Sequence, residues 1–184
     1  MKCAGSSLPA PEPLGTIVAV TAVLGLRIGE TLAFRKSDVG FAGHVNHIRQ
    51  SGDAATRQVQ AVKSKASSAD LPMPSGLERR LKAHMARHDA ALLFVNRRAR
   101  PFSANKLRTR QLHPLLDRLG IERGGFHSLR HGAASSLLAD GATPVVVQGQ
   151  LRHSDARITL GIYGHVIDDE QRNAVQTRSA RLVH

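Results

Sequence analysis

The sequence of 184 residues has no tryptophan, one tyrosine and one cysteine, and aromatic residues make up only 3% of it. A lone Cys3 excludes an internal disulfide framework and fits a reducing compartment. Long apolar runs are also missing. The longest, TIVAVTAVLGL at 16–26, is too short to span a bilayer and comes too late, behind prolines, to be the centre of a signal peptide. Neither a strongly amphipathic basic helix nor a lipidation signal is present, which argues against an acidic membrane surface as partner. Acids are in deficit: 14 Asp and Glu against 26 Lys and Arg leave a formal charge of +12. Such a field attracts a polyanion, with nucleic acid the first candidate. Twenty of the basic residues are Arg and six are Lys, a bias suited to planar, bidentate phosphate contacts.

At 41% hydrophobic, the chain is long enough for one compact domain with a real core. Residues 1–14, rich in Pro, Ser and Gly, read as a loose segment. A buried helix follows over 15–25 with a break at Gly25, then a second helical segment, IGETLAFRKSDV. Next, HVNHIRQ, TRQVQAVKS and DLPMP read as three short strands joined by hairpin connections. From 75 the pattern is helical again, with Leu77, Leu81 and Met85 on one face. Ser103 is placed to cap a helix that Pro114 kinks or restarts, and Leu129, Ala133 and Leu137 form a stripe on a helix ending at Asp140-Gly141. Pro144 starts another helix, a short one spans 154–162, and an amphipathic helix closes the chain. The expected fold class is α+β, mainly α-helical, with a small three-stranded antiparallel sheet.

Chemistry gathers in three boxes. In GLRIGE, Arg27 and Glu30 are three apart, which by itself describes an ordinary helix ion pair worth about 0.2–0.5 kcal/mol. In FHSLRHG, His127 and Arg130 share a helix face, while His127 and His131, four apart, have the spacing of a metal-ligand pair. The second position between them is Ser128 rather than the Glu that a hydrolytic zinc helix needs, and no third ligand is evident. In LRHSDARITLGIYGHV, His153 precedes Tyr163, the only tyrosine, by ten residues.

In this order the three boxes resemble the tyrosine recombinases, the phage integrase family, over about residues 15–170. The resemblance implies that Arg27 and Arg130 are the two family arginines, His127 the box histidine, His153 the later His or Trp position, and Tyr163 the nucleophile. Glu30 matches the acid that supports the first arginine. VKSKASSADLPMP is similar to the hairpin that carries the family lysine, with Lys63 the better match and Lys65 the runner-up. Two positions depart from the pattern: Arg152, where the family often has Gly, and Ala69, where an Arg is frequent.

The implied domain layout is a loose segment at 1–14, a catalytic domain at 15–166 and a C-terminal helix at 167–184 that packs on a neighbouring protomer. The implied activity is breakage and rejoining of double-stranded DNA through a 3′-phosphotyrosine, with no metal, ATP or other cofactor, in a tetramer in the cytoplasm at the nucleoid. A DNA-clamping N-terminal domain, usual in the family, is not among these residues, so affinity is expected to rest on phosphate contacts from one face and to be strongly salt dependent. A non-catalytic DNA-binding remnant and a type IB topoisomerase-like relaxing activity remain the alternative readings. The loop NRRARP at 96–101 is equally consistent with a solvated turn and a phosphate contact.

Overall fold

In the computed structural model, residues 10–53, 58–61, 68–152, 176 and 179–180 are described. Helix α1 (Leu14–Leu24) lies at the centre, with nine of its residues buried. It is apolar on nearly every side because neighbours cover it from several directions: α3 (Ser75–Met85) and α6 (Phe126–Ala139) pack against it. Gly25 ends it in the left-handed conformation, φ 64° and ψ 29°, as helix C-caps favour. Of the N-terminal segment 1–14, residues 10–14 are described, and Glu12 joins them to α3 through Arg80, whose Nη2 donates to Oε1 at 2.7 Å.

The second helix, α2 (Ile28–Ala33), is shorter than the helical segment expected over 28–39. Phe34 turns to extended backbone, and the Asp38 carboxylate accepts the Arg35 N–H at 3.2 Å, closing a 3₁₀ turn at Lys36–Asp38. Strand β1 (Val39–Gly40) follows. The expected strand at 44–50 divides into β2 (Val45–Ile48) and β3 (Gln50–Gly52), which join different sheets. β2 pairs antiparallel with β1 and with β5 (Ala69–Pro72), making the three-stranded sheet. Among the described residues β3 pairs only with β4 (Val59–Ala61), so the segment read as a middle strand forms a separate hairpin.

In α3, Leu77 and Leu81 are buried and Met85 packs partly buried beside them, on the stripe the spacing predicts. Ser103 Oγ accepts the Lys106 N–H at 3.4 Å and caps α4 (Ala104–Leu107). A π-helical turn at Arg108–Leu112 leads into α5 (His113–Arg118), where Pro114 occupies the first turn, a position in which its missing N–H costs little. One correction bears on function. The buried stripe of α6 is Phe126, Arg130, Ala134 and Leu138, whereas Leu129, Ala133 and Leu137 are only half-buried. An arginine stands in the core-facing row, so an apolar count selects the adjacent row. Helix α7 (Pro144–Leu151), capped by Thr143, packs Val147 and Leu151 against Ala134 and Leu138.

Candidate active site

The α1–α2 corner, the hairpin β3–β4 and the ends of α6 and α7 converge around Arg27, Glu30, His127 and Arg130. Two glycines make the approach possible. A Cβ on Gly25 would meet Leu151 Cδ2 at 2.2 Å, and its positive φ already disfavours a side chain. A Cβ on Gly29 would meet the carbonyl oxygen of Gly52 at 2.6 Å, so the hairpin lies directly against α2. Thr21 and Thr31 add a buried hydroxyl contact at 3.1 Å between α1 and α2.

Arg130 is 3% exposed. Its Nη1 donates to the Gly25 carbonyl at 2.5 Å and its Nη2 to the Leu151 carbonyl. Those carbonyls close α1 and α7. The last turns of helices carry unsatisfied carbonyls and the negative end of the dipole, so a guanidinium between two of them satisfies both at once. Burial first, then Arg27, pulls the Arg130 pKa down to about 10, which still leaves it charged at neutral pH. A guanidinium carries five N–H groups, so these two bonds leave three.

Arg27 is the N-cap of α2 with its side chain 45% exposed on the rim. Glu30, at the third helical position, accepts the Arg27 backbone N–H at 2.8 Å through Oε2 and Arg27 Nη1 at 3.1 Å through Oε1. This is more than a solvated ion pair, because the Glu30 side chain is 2% exposed. Arg152 supplies a second cation: its Nη2 lies 2.5 Å from Glu30 Oε2, with both side chains 2% exposed.

His127 sits exposed on the first turn of α6, its ring edge-on to His131 at 4.4 Å between centroids. Partial burial holds its pKa below the ordinary imidazole value, and His131, Arg130 and Arg27 add to the effect. The neutral ring, able to accept a proton, is therefore the form at pH 7. The two rings meet no third metal-ligating side chain among the described residues.

The structure thus brings together Arg27, Glu30, His127 and Arg130. Lys63, Lys65, His153 and Tyr163 lie outside the described residues, as do the expected helix at 154–162 and nearly all of the C-terminal one. Sequence reasoning noted Arg152 only as a departure and missed it as a buried partner of Glu30. The available signal was the departure itself, an arginine directly after a helix, where a left-handed cap calls for glycine.

The phage integrase family pattern matches residues 6–170. The XerA tyrosine recombinase of Thermococcus kodakarensis is 31% identical over 165 residues, covering 86% of this chain and 52% of the relative. A XerC-like tyrosine recombinase of Caldanaerobacter subterraneus is 29% identical over 180 residues, covering 83% and 46%. The chain therefore spans about half the length of these curated relatives. Among solved structures, the Tn1549 transposon integrase in complex with circular intermediate DNA superposes with a TM-score of 0.78 at 17% identity, over 89% of this chain and 59% of that one. The catalytic domain of bacteriophage HP1 integrase does so with 0.60 at 20%, over 96% and 89%. Arginines and a histidine gathered at the α1–α2 corner and the start of α6, in the fold of recombinase catalytic domains and under a match covering most of the sequence, place this chain in the phage integrase family.

Proposed function

We propose that this protein is the catalytic part of a site-specific DNA recombinase that breaks and rejoins DNA through a 3′-phosphotyrosine. The observation that carries the reading is the clustering of a charged, buried Arg130, a rim Arg27 and a neutral His127 around one corner of the fold. Cleaving a phosphodiester in this way needs fixed positive charge around the phosphorane, a base for the nucleophile and an acid for the leaving oxygen.

Arg27 and Arg130 take the non-bridging oxygens, a bidentate role for which Lys is a poor substitute. Tyr163 attacks the phosphorus as its phenolic proton passes to His127. The bond to the 5′-oxygen breaks, and that oxygen takes a proton from Lys63, while His153 hydrogen-bonds the phosphate. The phosphotyrosine conserves the ester bond, so reversal by a 5′-hydroxyl needs no nucleotide energy. The partner is double-stranded DNA in the cytoplasm, at the nucleoid, held largely through phosphates by a chain of net charge +12. Recombination is carried out by a tetramer in which residues 167–184 dock on a neighbouring protomer. Among the described residues no helix is long and apolar enough to cross a membrane.

The test is a denaturing gel for a covalent protein–DNA adduct on nicked duplexes in EDTA, with wild type and Tyr163→Phe. The expected result is an adduct that vanishes in the variant while duplex affinity stays nearly unchanged, since one hydroxyl is lost. Collapse of binding in the variant would make Tyr163 structural. Salt-sensitive binding with no adduct from wild type would leave a DNA-binding remnant, and relaxation of supercoils by the monomer would point to a topoisomerase.

A further inference from the structure

Arg152 closes α7 in the left-handed conformation, φ 54° and ψ 46°, a backbone corner that favours glycine. The arginine occupying it is not using its length to reach solvent, because its side chain is 2% exposed. A buried guanidinium is costly unless an anion meets it. The anion is Glu30, equally buried, whose Oε2 accepts Arg152 Nη2 at 2.5 Å and the Arg27 backbone N–H at 2.8 Å. Its other oxygen accepts Arg27 Nη1 at 3.1 Å. One carboxylate therefore bridges two arginines of unlike freedom: Arg152 is enclosed, and Arg27 is 45% exposed on the rim.

That asymmetry has an electrostatic consequence. With Arg27 as its sole cation, Glu30 would neutralise the charge that a phosphate needs and would hold the guanidinium back. With Arg152 already against it, the carboxylate is matched, and Arg27, Arg130, Arg152 and Glu30 together carry three positive charges against one negative. Arg152 Nε and Nη1 are also buried and find no partner among the described residues, so the guanidinium is not satisfied by its structural contacts alone.

We propose that Arg152 is a positioning residue of the active site: it neutralises and fixes Glu30, and so leaves the N–H groups of the rim guanidinium of Arg27 that Glu30 does not hold to take a phosphate oxygen. The inference rests on the reading that Arg27 binds the scissile phosphate. It is distinct from a role in folding, because Arg152 acts on the chemistry through the carboxylate.

The experiment measures single-turnover adduct formation on a nicked duplex carrying a 5′-bridging phosphorothiolate, whose thiolate leaving group traps the adduct. Duplex affinity and thermal midpoint are measured alongside. Arg152→Gly, suited to the left-handed corner, is expected to fold and to bind duplex like wild type. It should form adduct about 10- to 100-fold more slowly, by analogy with loss of the hydrogen-bond partner that orients a metal ligand. Added methylguanidinium should restore part of the rate. If Arg152→Gly does not fold, Arg152→Lys carries the test, with a smaller slowing at unchanged affinity. Because the effect passes through Glu30, adding Arg152→Gly to Glu30→Gln should cost little more than Glu30→Gln alone. Wild-type rates in folded Arg152 variants, or full additivity with Glu30→Gln, would overturn the proposal. A slowing that follows the loss of thermal midpoint and ignores methylguanidinium would also overturn it. An adduct formed equally by wild type and Arg152→Gly removes this inference only, whereas no adduct from wild type removes the recombinase reading and this inference together.

Discussion

Arg130 reaches across 105 residues of sequence to donate to the carbonyl of Gly25 at 2.5 Å, and with its second terminal nitrogen it holds the carbonyl of Leu151. The guanidinium proposed to bind phosphate is thus also the fastener that joins the ends of α1 and α7. Arg130→Lys should therefore fail twice. A lysine ammonium has no planar fork, so it cannot bond both carbonyls and still face an anion squarely. Leaving one buried acceptor unpaired costs about 1–3 kcal/mol. The expected outcome is a lower denaturant midpoint together with loss of most adduct formation. Wild-type stability in the variant would show that the two carbonyl contacts contribute little.

Gly25→Ala tests the same junction from the backbone side. Its φ of 64° lies in the left-handed region, where a Cβ costs about 1–2 kcal/mol, and that Cβ would stand 2.2 Å from Leu151 Cδ2. Leu151 has to shift, and its carbonyl shifts with it, away from Arg130. We expect destabilisation of at least the backbone cost, measured by urea unfolding, and slower adduct formation even at temperatures where the variant is fully folded. A variant that is destabilised but cleaves at the wild-type rate would separate the junction from the chemistry.

Much of this arrangement is legible in the sequence, and the rest is hidden for identifiable reasons. Helix α1 declares itself by a mostly apolar run and the glycine that stops it, and α3 by the spacing of Leu77, Leu81 and Met85. Ser103 caps where a serine ahead of a helical run should. The stripe of α6 is read one row off because Arg130 occupies a core-facing position that hydrophobicity alone assigns to solvent. The division of β2 from β3 depends on β5 and β4, remote partners that local alternation does not reveal. Within the candidate site, the boxes single out Arg27, His127 and Arg130, which the fold brings together. What brings Arg130 into place is two backbone carbonyls, and a carbonyl has no side-chain signature. Glu30 reads as a surface pair because its second, buried partner is Arg152, 122 residues away.

The pH dependence follows from His127. Burial, His131 and the two arginines depress its pKa below the ordinary value near ~6.5. In its proposed role as general base it must be neutral, so adduct formation should rise with pH through the depressed pKa and be flat, as far as His127 is concerned, above ~6.5. Folding follows the same direction: the unfolded chain binds the proton more readily, so stability is unaffected above the unfolded pKa and falls as pH drops towards the folded one. His131→Ala removes one depressing neighbour and should move the acid limb to higher pH. Rates measured between about pH 5 and 8 check this; an unmoved limb would assign it to another group.

The proton donor to the leaving oxygen can be identified by changing the leaving group rather than the protein. An alkoxide needs a proton as it departs, whereas a thiolate, whose acid has a pKa near ~8.5, leaves without one. Lys63→Ala should therefore slow cleavage of an ordinary nicked duplex by about 10²- to 10⁴-fold, the usual contribution of a positioned acid. On a 5′-bridging phosphorothiolate duplex the same variant should react nearly as fast as wild type. Lys65→Ala should react like wild type on both substrates. The opposite pattern would move the acid two residues along the chain to Lys65. Equal slowing of Lys63→Ala on both substrates would mean that this lysine binds the phosphate rather than protonating the departing oxygen, and the positive charge now assigned to Arg27 and Arg130 would then be shared by three side chains.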